Sequence, residues 1–462
     1  MFNASVYQHR RNLLTNEIKS GVALFLGNNE APMNYPSNTY HYRQDSNFIY
    51  FFGLHVANLA AIIDFDDPKT VIFGDDYEID DIIWMGDQPS VYSLTESVGV
   101  KEVRPFAQLY DYIQKAAQQG RKIHFTPPYR GDNKIILSNI TKIDVNTIRN
   151  EASVELIKAI VKLRSVKEEI EISEMEKACE YGVKMHKTVM KRCISGAAEL
   201  ELAGIAEGVA LSHGNGVSFP VILSQHGETL HNHTHDQILK TGNMLLMDAG
   251  VEGLMGYASD YTRTLPIDGK FTQKQQEIYE IVLKANLSGI DATKPGLYYK
   301  EVHQLAATVI ADGLKNLGLM KGDVHEAVTL GAHALFFPHG LGHQLGLDVH
   351  DMEDLGENYV GYDETISRSN IFGLDALRMA RELKPGFVIT VEPGIYFIPQ
   401  LIDIWKKEQK FAQFINYDKV EEYRTFGGIR IEDDVLITET GHRVLGPHLP
   451  KTVDELAEII GK

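Results

Sequence analysis

Short apolar runs set between turn-forming residues dominate the first third of the chain. GVALFLG (21–27), FIYFFGL (48–54), LAAIIDF (59–65) and TVIFG (70–74) are strand-length and rich in aliphatic and aromatic side chains, so they predict strands. FAQLYDYIQKAAQQG (106–120) reads as a polar helix, and the mixture predicts a small α/β domain. A helix beginning near Glu155 leads into a stretch where Ile170, Ile172, Met175 and Cys179 recur at helical spacing with Lys and Glu between them. The domain boundary falls near residue 165, giving expected domains of 1–165 and 166–462.

Past that boundary long helices (199–214, 272–293, 300–318) alternate with short strands that end in acids or histidines. This pattern predicts an α+β domain with helices packed on a sheet. Its central stretch is MLLMDAGVEGLMGYASDYTRT (244–264). Met244 to Met247 form a buried strand, EGLMG a turn and GYASDYTRTL a returning strand, so Asp248 and Asp260 can meet across one hairpin. Buried carboxylates that close together must be paired, protonated or bound to a cation. Taken alone, the pair reads equally well as an acid-rich surface hairpin, because Asp is common at strand ends.

Composition narrows the partners. A chain of 462 residues suggests about two or three domains. Its 44% hydrophobic and 23% charged content is that of a globular protein. A net charge of −18 disfavours nucleic acid and anionic membrane surfaces as partners. The start lacks the apolar core of a signal peptide, and no run approaches the ~18 apolar residues of a membrane span, so the expectation is a cytoplasmic protein. Cys179 and Cys193 share one helical pattern about 21 Å apart, beyond disulfide reach, and read as reduced thiols.

Four further stretches put ligand-type residues into strand or glycine-rich settings. FFPHGLGHQLGLDVHD carries His339, His343 and His350, with Gly340, Gly342 and Gly346 around His343 allowing close backbone approach. KPGFVITVEPGIYF places Glu392 at the end of a core strand, before the Pro393-Gly394 break. FGGIRIEDDVLIT puts Arg430, Glu432 and Asp434 on one face, opposite Ile429, Ile431 and Asp433. ETLHNHTHDQ carries His231, His233 and His235 at period two, which reads as an active-site strand with His231 facing the chemistry, or as a separate metal clip. Singly, each glutamate reads as a strand-edge ion pair and each histidine as a structural residue.

Together, Asp248, Asp260, His343, Glu392 and Glu432 are four carboxylates and one imidazole, whose charge two divalent cations would balance. Oxygen-rich ligation with one nitrogen suits Mn²⁺ first, with Co²⁺, Zn²⁺ or Fe²⁺ as alternatives. Two such ions about 3.5 to 4 Å apart can hold a nucleophilic hydroxide and polarise a carbonyl, which is the chemistry of a hydrolase.

In this order and spacing, LMDAG, SDYTRT, PHGLGHQLGLDVHD, TVEPGIYF and GGIRIEDD resemble the metal-ligand motifs of the pita-bread metallopeptidases, in the proline-peptidase branch of prolidase and aminopeptidase P. NTYHYRQDSNFIYFFGL resembles the N-terminal domain of that branch. The resemblance implies a C-terminal pita-bread catalytic domain with a smaller α/β domain before it, a homodimer, and peptide substrates with proline in second position. It implies that Asp248 chelates one metal, that Asp260 and Glu432 bridge both, and that His343 and Glu392 complete the other, with Glu392 also a general acid/base. His231, His339 and His350 correspond to substrate-side histidines that stabilise the tetrahedral intermediate, and Arg430 to an arginine steadying Glu432. The family usually separates the two aspartates by eleven positions. Here the separation is twelve, so the EGLMG turn carries an extra residue and both ligands are expected to stay in place.

Within the branch, the long segment between Glu392 and Glu432 resembles prolidases, where it covers the site. Arg378, otherwise a solvated helix residue, corresponds to an arginine that anchors the dipeptide carboxylate; Trp84, otherwise a buried aromatic, corresponds to a substrate-side tryptophan from the N-terminal domain. The expected activity is therefore Xaa-Pro dipeptide hydrolysis, with Xaa-Pro aminopeptidase as the alternative and a non-catalytic binding protein on the same fold as a remote one. The additional N-terminal domain argues against a methionine aminopeptidase, and the filled ligand set against a metal-free amidino hydrolase.

Overall fold

The computed structural model describes residues 1–462 as two compact units: Met1–Arg164 with Asp354–Tyr359, and Ser165–Glu353 with Val360–Lys462. In the first unit five strands pair in the order Glu102–Arg104, Lys69–Phe73, Ala60–Asp64, Val22–Leu26, Ile123–His124. The three inner strands are antiparallel and each edge strand joins in parallel. Helices Gln108–Gln118 and Gly131–Thr141 contribute Leu109, Ile113, Leu137 and Ile140 to the core beneath the sheet.

One expected strand is a helix. FIYFFGL lies largely in Ser46–Phe52, whose seven residues are all buried. Asp45 caps it by accepting the Phe48 N–H at 2.9 Å, and Gly53 closes it at φ 64. A run buried on every side has no periodicity to separate helix from strand, and the two caps were the informative signal. The helical pattern after Glu155 is also two helices, Val154–Ser165 and Glu169–Met190, interrupted where Glu168 starts the second with a capping box.

In the second unit Ile222–Ser224, Met244–Ala249 and Tyr261–Pro266 form an antiparallel sheet, with Asp248 opposite Thr262. The expected hairpin is present. Gly256, at φ 84, turns its tip, and Asp260 stands directly before the returning strand. A second sheet pairs Val388–Val391 with Asp433–Ile437, and a ribbon pairs Gly394–Tyr396 with Gly428–Arg430. Val391 faces Asp433 in the sheet and Gly394 faces Arg430 in the ribbon. Glu392 and Glu432 therefore occupy the same interruption, one on each chain, where pairing lapses. Behind it the helix Gln273–Ala292 inserts Asn286, whose amide donates to Val391 O (3.0 Å) and Ile431 O (3.4 Å).

Cys179 and Cys193 are buried and unbridged, the first within Glu169–Met190 and the second just beyond it.

Gly342 lets the His343 segment lie directly against the Val388–Val391 strand. A Cβ there would sit 2.2 Å from Thr390 O and 2.7 Å from Tyr299 Oη. Gly342→Ala is therefore expected to lower unfolding stability by about 1–3 kcal/mol, read from the denaturant midpoint; an unchanged midpoint would show that the strand yields freely.

Candidate active site

A cavity of about 260 Å³ in the second unit is lined by Asp248, Asp260, His343, Glu392 and Glu432, together with His231, His233, His339, His350, Arg378 and Arg430. Every expected site residue except Trp84 thus meets in one place. Trp84 lies in the first unit on Ile79–Met85 and is 86% exposed, so it is not the buried aromatic its surroundings allowed.

The hydrogen bonds fix which atoms face inward. His343 Nδ1 lies 2.9 Å from Gln344 O, which can only accept, so Nδ1 carries the proton. Nε2 is then a lone pair, and it points at Asp260 Oδ2 (3.4 Å) and Glu392 Oε1 (3.6 Å). Burial lowers the His343 pKa well below its usual value, so these contacts are not ion pairs of a charged imidazole. Three acceptors face one another with no donor between them. Ligand atoms of Asp260, His343 and Glu432 lie within 4.8 Å of one another, and Asp248 Oδ1 and Asp260 Oδ1 are buried without a hydrogen-bond partner. That donor set fits divalent cations.

Electrostatics agrees. Burial, reinforced by neighbouring carboxylates, raises the carboxyls of Asp260 and Glu432 well above the usual range, and burial lifts Glu392 to about 7. Arg430 is the cation buried beside them. Its Nη2 donates to Asp248 Oδ2 at 2.6 Å and its Nε to Thr262 Oγ1 at 3.2 Å. Thr262 Oγ1 in turn donates to Glu432 Oε2 at 2.7 Å. Arg430 therefore grips Asp248 directly and reaches Glu432 through Thr262. Thr390 does similar work on the opposite side, accepting the His343 N–H (3.1 Å) and donating to Glu392 Oε1 (3.3 Å). Asp434 accepts the Asp260 N–H at 3.0 Å from behind.

Tyr396 was not singled out by the sequence. Its hydroxyl accepts from Arg430 Nη1 at 2.9 Å and lies 2.8 Å from His339 Nε2. Since His339 Nδ1 donates to Gly340 O at 2.8 Å, the neutral ring accepts from Tyr396, and both its nitrogens are engaged. Burial and the Arg430 charge lower the His339 pKa to about 3, which keeps it neutral. His339 is thus a fixed wall, whereas His231 makes no hydrogen bond within the protein.

The histidine-rich loop differs from the expected strand. Residues 231–237 are irregular, and His233 joins His231 at the cavity. His233 and His235 direct Nδ1 at Val221 O (3.4 Å) and Leu223 O (2.9 Å), so main-chain carbonyls orient both rings. Arg378 lies in a bend and not on a helix, and it is part-buried at the cavity. In the long segment after Glu392, residues 398–427 contribute nothing to the lining; Ile398 packs in one cluster with Phe219, Ile222 and Leu230, and Phe414 and Asn416 bond to Lys321 and Leu319.

Residues 173–439 match metallopeptidase family M24, and residues 7–124 match the aminopeptidase P N-terminal domain. The chain belongs to metallopeptidase family M24. It is 32% identical to the human Xaa-Pro dipeptidase over 458 residues, covering 95% of this chain and 88% of that one. It is 33% identical to a probable Xaa-Pro aminopeptidase of Sordaria macrospora over 425 residues, covering 91% and 87%. The zinc-substituted aminopeptidase P of E. coli in complex with product superposes with a TM-score of 0.80 at 29% identity, covering 99% and 98%. Fold class and enzyme class follow: a metallopeptidase of the pita-bread proline-peptidase branch, with an N-terminal domain of the aminopeptidase P type.

Carboxyls raised in the native state keep protons that the unfolded chain loses, so in metal-free protein stability falls as pH rises from about 4.5 through about 7. The slope is about 1.4 kcal/mol per pH unit for each retained proton. Chelator-treated protein is therefore expected to melt lower at pH 8 than at pH 5.5, and added Mn²⁺ to raise the midpoint more at pH 8. A flat pH profile would contradict this account of the cluster.

Proposed function

We propose that this protein hydrolyses Xaa-Pro bonds with two divalent cations, Mn²⁺ in the first instance, and that its preferred substrates are dipeptides. The observation that carries the metal reading is the unprotonated His343 Nε2 facing Asp260 and Glu392 with no donor between them. Asp248, Asp260, His343, Glu392 and Glu432 would hold the ions, with Asp260 and Glu432 shared. The ions supply Lewis-acid polarisation of the scissile carbonyl and a lowered pKa for water.

The chain's own residues do the rest. Glu392 would take a proton from the attacking water and pass it to the departing imino nitrogen. An Xaa-Pro bond offers no N–H for strand-like recognition, so the leaving nitrogen must be reached by a placed donor within a compact pocket. His231 and His350, which line the same cavity, would meet the developing oxyanion, while His339, held by Tyr396 and Gly340, shapes the wall. Arg430 fixes Asp248 against the repulsion of its neighbours.

The dipeptide preference is supported by Arg378, which lines the cavity and would receive a free carboxylate. Against it stands one observation: Arg378 Nε is already engaged by a protein carboxylate, Glu353, at 3.2 Å. That favours the second reading, an Xaa-Pro aminopeptidase acting on longer peptides. Trp84 retains its proposed place as a substrate contact on the resemblance and on its exposure. A cytoplasmic homodimer is the accompanying reading on the resemblance; no helix is long and apolar enough to cross a membrane.

Purified protein with Mn²⁺ is expected to cleave Ala-Pro; turnover of Ala-Pro-Ala with none of Ala-Pro would favour the aminopeptidase reading. Arg378→Ala should raise the dipeptide KM about 10- to 100-fold and the tripeptide KM much less. Asp260→Asn should lower turnover by at least ~100-fold and reduce bound metal by elemental analysis, since even supporting residues around a metal are worth about 10–100-fold. Full metal content and activity in Asp260→Asn would remove it from the ligand set.

A further inference from the structure

Glu353 belongs to none of the motifs, yet one of its oxygens joins two residues of the cavity. Oε2 accepts from His350 Nδ1 and, at 3.2 Å, from Arg378 Nε. The three side chains are 32%, 40% and 34% exposed for His350, Glu353 and Arg378, so the group sits at the rim and not in the core. Because an ionised carboxylate only accepts, His350 must carry its proton on Nδ1, which leaves Nε2 as the ring nitrogen for the cavity. The backbone is bent to make this contact. Met352 stands at φ 62, an uncommon conformation for a bulky residue, and the Glu353 N–H returns to His350 O at 3.1 Å. The hydrogen bond from His350, with the Arg378 charge beside it, holds the Glu353 carboxyl at about 2, so it is negative throughout the neutral range.

We infer that Glu353 is a positioning residue that occupies Arg378 in advance and thereby sets how strongly dipeptides are favoured over longer peptides. The inference rests on the reading of Arg378 as the anchor for a dipeptide carboxylate. A guanidinium binds a carboxylate best along one edge, through two parallel N–H groups. With Nε held by Glu353, a substrate carboxylate cannot take the Nε edge without displacing Glu353, and it is repelled by the charge already there. A longer peptide has an amide at that point and feels neither effect. Two carboxylates flanking one guanidinium at a part-exposed rim are worth roughly a three- to tenfold change in binding. Glu353 thus weakens dipeptide binding selectively while it fixes the orientation of both Arg378 and His350.

The test compares KM for Ala-Pro and Ala-Pro-Ala in the Mn²⁺-loaded wild type, Glu353→Gln and Arg378→Ala. Glutamine retains an oxygen that can accept from His350 but carries no charge. The ratio of dipeptide to tripeptide KM is expected to fall about three- to tenfold in Glu353→Gln, and the fall to shrink as salt is raised. Glu353→Ala, which also removes the charge, should move the ratio in the same direction if the glutamine variant does not fold. Glu353→Asp, which keeps the charge, should hold the ratio near the wild-type value. A ratio that is unchanged or higher in both uncharged variants overturns the inference. The underlying reading fails separately: if Arg378→Ala leaves the ratio untouched, Arg378 is no carboxylate anchor. If Arg378→Ala raises the ratio and the uncharged Glu353 variants do not lower it, only the role of Glu353 is lost.

Discussion

Mutual repulsion among four carboxylates gathered at one cavity is the constraint to which the catalytic unit answers. Asp248, Asp260, Glu392 and Glu432 would each rather be hydrated or protonated, and the cost of holding them together has to be met by positive charge and by fixed hydrogen bonds. Arg430 provides the protein's own positive charge at Asp248, and cations would provide the remainder. Neutral hydroxyls then aim the carboxylates: Thr262 takes Glu432 and Thr390 takes Glu392. Threonine suits both places because one oxygen can accept from one side and donate to the other.

The same constraint explains where the acids sit in the fold. Within a regular ladder, neighbouring side chains alternate between faces and cannot converge on a point. The four carboxylates instead come from strand ends and from the lapse in pairing that Glu392 and Glu432 share, where the local direction of the chain changes. Asp260 is set by its own backbone, since its N–H is held by Asp434 on the far side from the cavity. Positioning therefore comes mostly from main-chain geometry, supported by helices that reach in through Asn286 and Tyr299.

Much of this was legible in the chain. The apolar run before Asp248, the break after Glu392 and the alternation around Glu432 each announce an acid in a buried strand setting, and the order of the motifs assembles them. Where the reading failed, the cause is physical. FIYFFGL has no polar side to reveal its period, so only its caps tell helix from strand. The histidines at period two suggested a strand, but main-chain carbonyls of Val221 and Leu223 hold two of them in a loop. Tyr396, Thr262 and Glu353 act through partners 34, 170 and 25 residues away in sequence, and a single chain offers no local signal for such pairs.

The shared lapse between Glu392 and Glu432 has a further consequence. Both glutamates ride on short stretches of backbone clamped at each end by paired strands and tied from behind by one amide, so the points from which their side chains start are set by the chain path, and only side-chain rotation is left to adapt the site to what it holds.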